Sequence, residues 1–121
     1  MGGKLMIDLE KKISVVTKAC EDKKGFDIKV IDVSKLTTIA DYFIIVSGNS
    51  TTQVRAIADE ILDKLYEIGY FEIRKEGYES SRWILLDLND IIVHVFHKDE
   101  REYYNLERLW TDTEAIIKKE E

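Results

Sequence analysis

A chain of 121 residues, 45% hydrophobic and 35% charged, has the size of one domain spanning 1–121 and too much apolar content for disorder. Its 18 Lys and Arg against 24 Asp and Glu give a net charge of −6, which argues against a nucleic-acid backbone as the main partner and suits a basic protein better. No apolar run nears the roughly 18 residues of a membrane span, and neither the lone Cys20 nor the polar start Met1-Gly2-Gly3-Lys4 supports an oxidising compartment or secretion, so a cytoplasmic protein is expected.

Leu9, Ile13, Val16 and Cys20 recur at helical spacing and predict an amphipathic helix from about Met6 to Asp22. Asp8 and Lys12 form an i,i+4 pair of favourable order on it, and the Lys23-Lys24-Gly25 turn closes it. Alternation from Phe26 to Val33 predicts a strand. The uninterrupted apolar run Tyr42–Val46 predicts a second strand, buried on both faces and therefore central. Ser50-Thr51-Thr52-Gln53 is a capping box, after which Val54, Ile57, Ala58, Ile61, Leu62 and Leu65 trace one face of a helix that Gly69 stops. Phe71–Arg74 reads as a short edge strand, followed by a polar connection to Arg82. Trp83–Leu88 and Ile91–Phe96 read as two strands joined by Asn89-Asp90, residue types that tolerate a left-handed backbone. Asp99 can cap a last helical region, with Glu102 three residues on, and the tail from Thr111 is expected to fray. The order α-β-β-α-β-β-β-α predicts an α/β sandwich around a five-stranded mixed sheet.

If Asn89-Asp90 forms the turn, the hairpin has two unlike faces. Ile84, Leu86, Leu88, Ile91, Val93 and Val95 fall on one and are wholly apolar, which marks the core side. Trp83, Leu85, Asp87, Ile92, His94 and Phe96 fall on the other. Burying Asp87 and His94 there without partners would cost about 1–3 kcal/mol each. Aromatic and aliphatic groups beside a few polar ones compose a protein-binding patch. The competing account has the last helix cover this face, with Asp87 and His94 paired to each other or to Arg101. Tyr103, Tyr104 and Trp110 extend either the cover or the patch.

Catalytic signals are weak. His94 and His97 stand three apart in a strand, on opposite faces, and make poor joint metal ligands. Cys20 lies on an apolar helix face beside Glu21 and Asp22, which disfavour a thiolate. Ser47-Gly48-Asn49-Ser50 joins a strand to a helix start but lacks the Lys and repeated Gly of a phosphate loop. A nucleotidyltransferase-like enzyme binding a nucleotide at Ser47-Gly48, with Asp59 and Asp63 as metal carboxylates, is the alternative function. No catalytic residue, metal or cofactor is otherwise called for.

The run Asp41–Ser50 with Val54, Ile57, Ala58 and Asp59, the run Trp83–Phe96, and the ending Arg101–Trp110 together resemble the ribosomal silencing factor family (RsfS, also called Iojap-like). The likeness spans about Leu5 to Trp110; Asn89 stands where that family usually has Gly. The resemblance implies a nucleotidyltransferase-like fold without the catalytic carboxylates. It implies a repressor of translation that binds the large ribosomal subunit through ribosomal protein uL14, with little direct nucleic-acid contact and no membrane. Blocking subunit joining under nutrient limitation, and forming a homodimer, follow from it too. By the resemblance Trp83 and Leu88 are contact residues, and Asp87 or Asp90 pairs with a partner cation. For Leu88 this conflicts with the core face assigned above, and the contact reading is followed there because Leu88 adjoins the hairpin tip, where cover by a helix runs out. The expected contact set is Trp83, Leu85, Asp87, Leu88, Asp90, Ile92, His94, Phe96, Arg101, Tyr103, Tyr104 and Trp110.

Overall fold

The structure is a computed structural model that describes residues 7–104, with side chains through Glu102. The side chains of Tyr103 and Tyr104, Trp110, and the tail from Thr111 lie outside the described residues.

The first helix, α1, spans Leu9–Asp22. It starts later than the apolar spacing predicted because Asp8 is its cap: Asp8 Oδ1 accepts from the Lys11 amide at 2.8 Å. Asp8 is therefore not the ion-pair partner of Lys12. After a turn at Lys24 with φ 62°, β1 runs Phe26–Asp32 and pairs antiparallel with β2, Tyr42–Gly48. A register shift between Phe26 and Lys29, with Asp27 at φ 51°, places Ile28 against the helix-side core and Ile31 against the opposite face.

The second helix, α2, spans Thr51–Glu67. Ser50 Oγ accepts from the Gln53 amide at 3.1 Å, and Gln53 Oε1 reaches back to the Asn49 amide at 2.6 Å. The capping box thus forms, with its return bond one residue earlier than expected. Gln53 Nε2 also donates to the Lys23 and Lys24 carbonyls at 3.1 and 3.0 Å, so one side chain ends α1 and begins α2. Val54, Ile57, Ala58, Ile61, Leu62 and Leu65 are the buried stripe of α2, as their spacing predicts. Each large aliphatic among them contributes about 1.5–3 kcal/mol by leaving water.

The next strand, β3, is Arg74–Glu76 rather than Phe71–Arg74. Its register pairs Arg74 with Asp87. Ile73 and Phe71 would therefore lie opposite Leu88 and beyond, where the partner strand has already turned, and they have no ladder to join. Phe71 is instead exposed and stacks on Tyr66 at 5.7 Å. β4 (Trp83–Asp87) and β5 (Ile91–His97) form the expected hairpin, with Asn89 at φ 77° and pairs 83–96 through 87–92. The helix α3, Lys98–Tyr104, begins one residue before Asp99; His97 Nδ1, rather than an Asp99 cap, accepts the Asp99 amide at 3.2 Å.

The five strands lie in the order β1-β2-β5-β4-β3, with β2 and β5 parallel and all other neighbours antiparallel. The sheet is mixed, as predicted. α1 and α2 pack together on one face over Ile44, Val46, Ile84, Leu86, Leu88, Ile91, Val93 and Val95. The opposite face carries a smaller cluster of Val33, Ala40, Phe43 and Ile92 at one end and the start of α3 at the other.

Candidate protein-docking surface

The face away from α1 and α2 is built in rows, because residues paired across strands point the same way. One row is Ser47, Phe96 and Trp83; the next is Ile45, His94 and Leu85; the third is Phe43, Ile92 and Asp87. Position in the sheet then decides exposure. β5 is flanked on both sides, and its members are covered: Phe96, His94 and Ile92 are 0%, 5% and 8% exposed. β4 has only the three-residue β3 beyond it, and Trp83, Leu85 and Asp87 stay half-buried. Those three form a stripe about 13 Å long at the usual strand rise. An open groove of about 220 Å³ runs beside it, lined by Glu76, Gly77, Trp83 and Leu85.

Trp83 Nε1 donates to His94 Nδ1 at 3.1 Å, and the indole stacks on Phe96 at a centroid distance of 4.8 Å. The polar edge of the indole is thus satisfied within the fold. Accepting at Nδ1 leaves the imidazole proton on Nε2, which is buried without a partner among the described residues. Burial pushes the His94 pKa down to about 4. Since the unfolded histidine titrates near its ordinary value of about 6.5, the unfolded chain binds a proton between these pH values that the folded chain does not. His94 is therefore expected to lose the fold about 2 kcal/mol of stability between pH 7 and pH 5. Urea unfolding at the two pH values checks this, and His94→Phe should flatten most of the difference.

The remaining members of the expected contact set divide. Leu88 is 0% exposed, so the core face read from the hairpin pairing is right and the resemblance places its side chain wrongly for direct contact. Ile92, His94 and Phe96 support the stripe from beneath instead of forming it. Arg101 is 7% exposed and donates from Nη1 to Ser47 Oγ at 2.9 Å, which holds α3 to the sheet. Asp87 Oδ1 accepts the Asn89 amide at 2.8 Å. Asp87 makes no ion pair among the described residues. Asp90 does: both carboxylate oxygens meet Lys12 Nζ, at 2.9 and 2.8 Å. Its partner had a visible signal, since Lys12 sits three residues after Leu9 and four before Val16, on the apolar stripe of α1.

The elements named for the alternative enzyme are used differently. Ser47 lends its hydroxyl to Arg101, and Gly48 packs on Val54, where a Cβ would come within 3.2 Å of Cγ2. Asp59 accepts from the Tyr78 hydroxyl at 3.1 Å. Among the described residues no three His, Cys, Asp or Glu side chains stand together as a metal site. Burial, reinforced by Glu21, pushes the Cys20 thiol up to about 12, away from the thiolate a nucleophile needs. Among the described residues no helix is long and apolar enough to cross a membrane.

With this geometry in place, likeness to known proteins becomes specific. A family model described as "Ribosomal silencing factor during starvation" matches residues 7–121. The chain is 50% identical over 100 residues to ribosomal silencing factor RsfS of Bacillus subtilis, covering 83% of this chain and 85% of that protein. It is 31% identical over 101 residues to the chloroplastic protein Iojap of Zea mays, covering 84% of this chain and 44% of the maize protein. A crystal structure of a Chromobacterium violaceum protein superposes with a TM-score of 0.82 at 39% identity, covering 86% and 87% of the two chains. One from Bacillus halodurans gives 0.75 at 46% identity, covering 84% and 94%. The chain belongs to the ribosomal silencing factor family.

Proposed function

We propose that this protein binds the large ribosomal subunit through ribosomal protein uL14, on the face that meets the small subunit, and so blocks subunit joining. The observation that carries the reading is the stripe Trp83, Leu85 and Asp87, half-buried beside a groove on an acidic chain. An inward-bonded indole supplies an apolar anchor at low entropic cost, the kind of residue enriched at the centre of protein interfaces. Asp87 supplies a carboxylate for a lysine or arginine of a basic partner, and the net charge of −6 steers the encounter. Nothing in the action requires turnover: silencing is steric, its strength follows affinity, and it represses translation in the cytoplasm when nutrients run short. A second copy of the chain docking on the same stripe would compete with the ribosome, which makes a homodimer a reserve form.

Purified large and small subunits mixed under joining conditions test the proposal. Saturating protein should deplete the joined ribosome peak on a sucrose gradient and travel with the large subunit alone. Joining at the normal extent, or migration with the small subunit, would reject it.

A further inference from the structure

Hairpin turns at a surface are ordinarily among the more mobile parts of a fold. The β4–β5 turn is held from three sides. Lys12 reaches it from α1, its Nζ bridging both Asp90 oxygens and lying 4.5 Å from the centre of the Tyr70 ring. Tyr70, just past α2, donates its hydroxyl to the Leu88 carbonyl at 2.6 Å. The Asp90 carbonyl accepts the amides of Asp41 and Tyr42 at 2.8 and 3.1 Å, where β2 begins. Lys12 is 6% exposed, and a cation so far from water persists only with a close counter-charge. One further link reaches the docking stripe: the Asn89 amide donates to Asp87 Oδ1, so the shape of the turn decides where the Asp87 carboxylate stands.

We infer that Lys12, Tyr70 and Asp90 form a clamp that preorganises this turn for a basic protein partner, and that Asp90 acts on the partner through Asp87 without touching it. The inference rests on the docking stripe proposed above. Holding the turn in its bound shape raises affinity by removing the cost of ordering it on contact. The two roles open to Asp90 give opposite signs for one substitution. Were Asp90 a direct ion-pair partner, Lys12→Met would free its carboxylate and hold or tighten binding. As a positioning residue, Asp90 loses its hold when Lys12 goes, and binding weakens.

The test uses the full chain and isolated large subunits, with co-sedimentation for affinity and amide hydrogen exchange for the turn. In both Lys12→Met and Asp90→Asn, the amides of Leu88 and Asp90 should exchange faster and binding should fall about ten-fold. The double variant should bind no more weakly than either single one, because the two residues act as one unit. Tyr70→Phe deletes a single hydroxyl and keeps the fold, and should shift both readouts the same way by roughly three-fold. Lys12→Met binding as tightly as the unmodified protein, or weaker binding without faster exchange, would overturn the clamp. Trp83→Ala separates the two ideas. Loss of binding there beside tight binding in Lys12→Met overturns the clamp and keeps the stripe. Weakened clamp variants beside an unaffected Trp83→Ala remove Trp83 from the interface and keep the clamp, acting through Asp87.

Discussion

Trp83→Ala is expected to leave the chain folded and to lower its affinity for large subunits at least about thirty-fold, the roughly 2 kcal/mol that marks an interface hot spot. The substitution removes the indole from one end of the docking stripe, its largest apolar group. It also removes the stacking on Phe96 and the hydrogen bond to His94. The structural cost is held to about 2 kcal/mol, because Trp83 is half-buried and His94 loses one hydrogen bond. A domain with the usual stability of about 5–15 kcal/mol survives that. Trp83→Phe keeps an aromatic ring over Phe96 without the N–H group and should fall between the two proteins. Co-sedimentation checks the affinity and thermal unfolding checks the fold. A folded Trp83→Ala chain that travels with large subunits as before removes the docking site.

The second large effect is expected at Gly77, in the loop between β3 and β4. Its φ is +91°, a conformation that side chains other than glycine rarely adopt, and a Cβ there would stand 2.1 Å from the Trp83 carbonyl oxygen. Gly77→Ala therefore combines backbone strain with an overlap that only movement of β4 can relieve. The expected loss is about 2–5 kcal/mol. Gly69 provides the control, since its φ is +89° with nothing within 4 Å of a Cβ. Gly69→Ala should cost only about 1 kcal/mol, the strain alone. The difference in urea midpoint between the two variants measures the overlap. Because β4 carries the stripe, Gly77→Ala should weaken large-subunit binding too, whereas Gly69→Ala should not. Equal midpoints for the two variants would show that the loop yields freely and that Gly77 does not hold Trp83 in place.

Much of the architecture could be read from local pattern. The stripe of α2, the cap at Ser50 and the two faces of the hairpin follow from spacings of two, three and four residues, which depend on backbone geometry alone, and the mixed five-stranded sheet was expected from the order of the elements they define. The left-handed turn residue Asn89 needed no partner to be recognised, and its φ of 77° agrees. The strand at Phe71 misled for the opposite reason. Its alternation is real, but a strand exists only where another runs beside it, and β4 has already turned at that level.

The character of the outer face was the main matter that pattern left open. Alternation assigns Trp83, Leu85, Asp87, Ile92, His94 and Phe96 to one side of the hairpin and is silent on which of them water reaches. That depends on strand order, and the order is set by the parallel pairing of β2 with β5, segments separated by a helix and two other strands. The central place of β5 buries its three members. The short β3 beside β4 leaves the stripe half-covered. The same non-locality governs the charges. Lys12 and Asp90 lie 78 residues apart in the chain, so their pairing exists only once the sheet has carried the hairpin turn to α1, and no spacing rule within either segment contains it. The residues themselves determined that the chain is an α/β sandwich with one unusual β-ribbon face, because hydrophobic periodicity is a local property. The folded structure alone decided how much of that face stays uncovered and what holds its turn, because exposure and ion pairing depend on neighbours that the chain brings from far away.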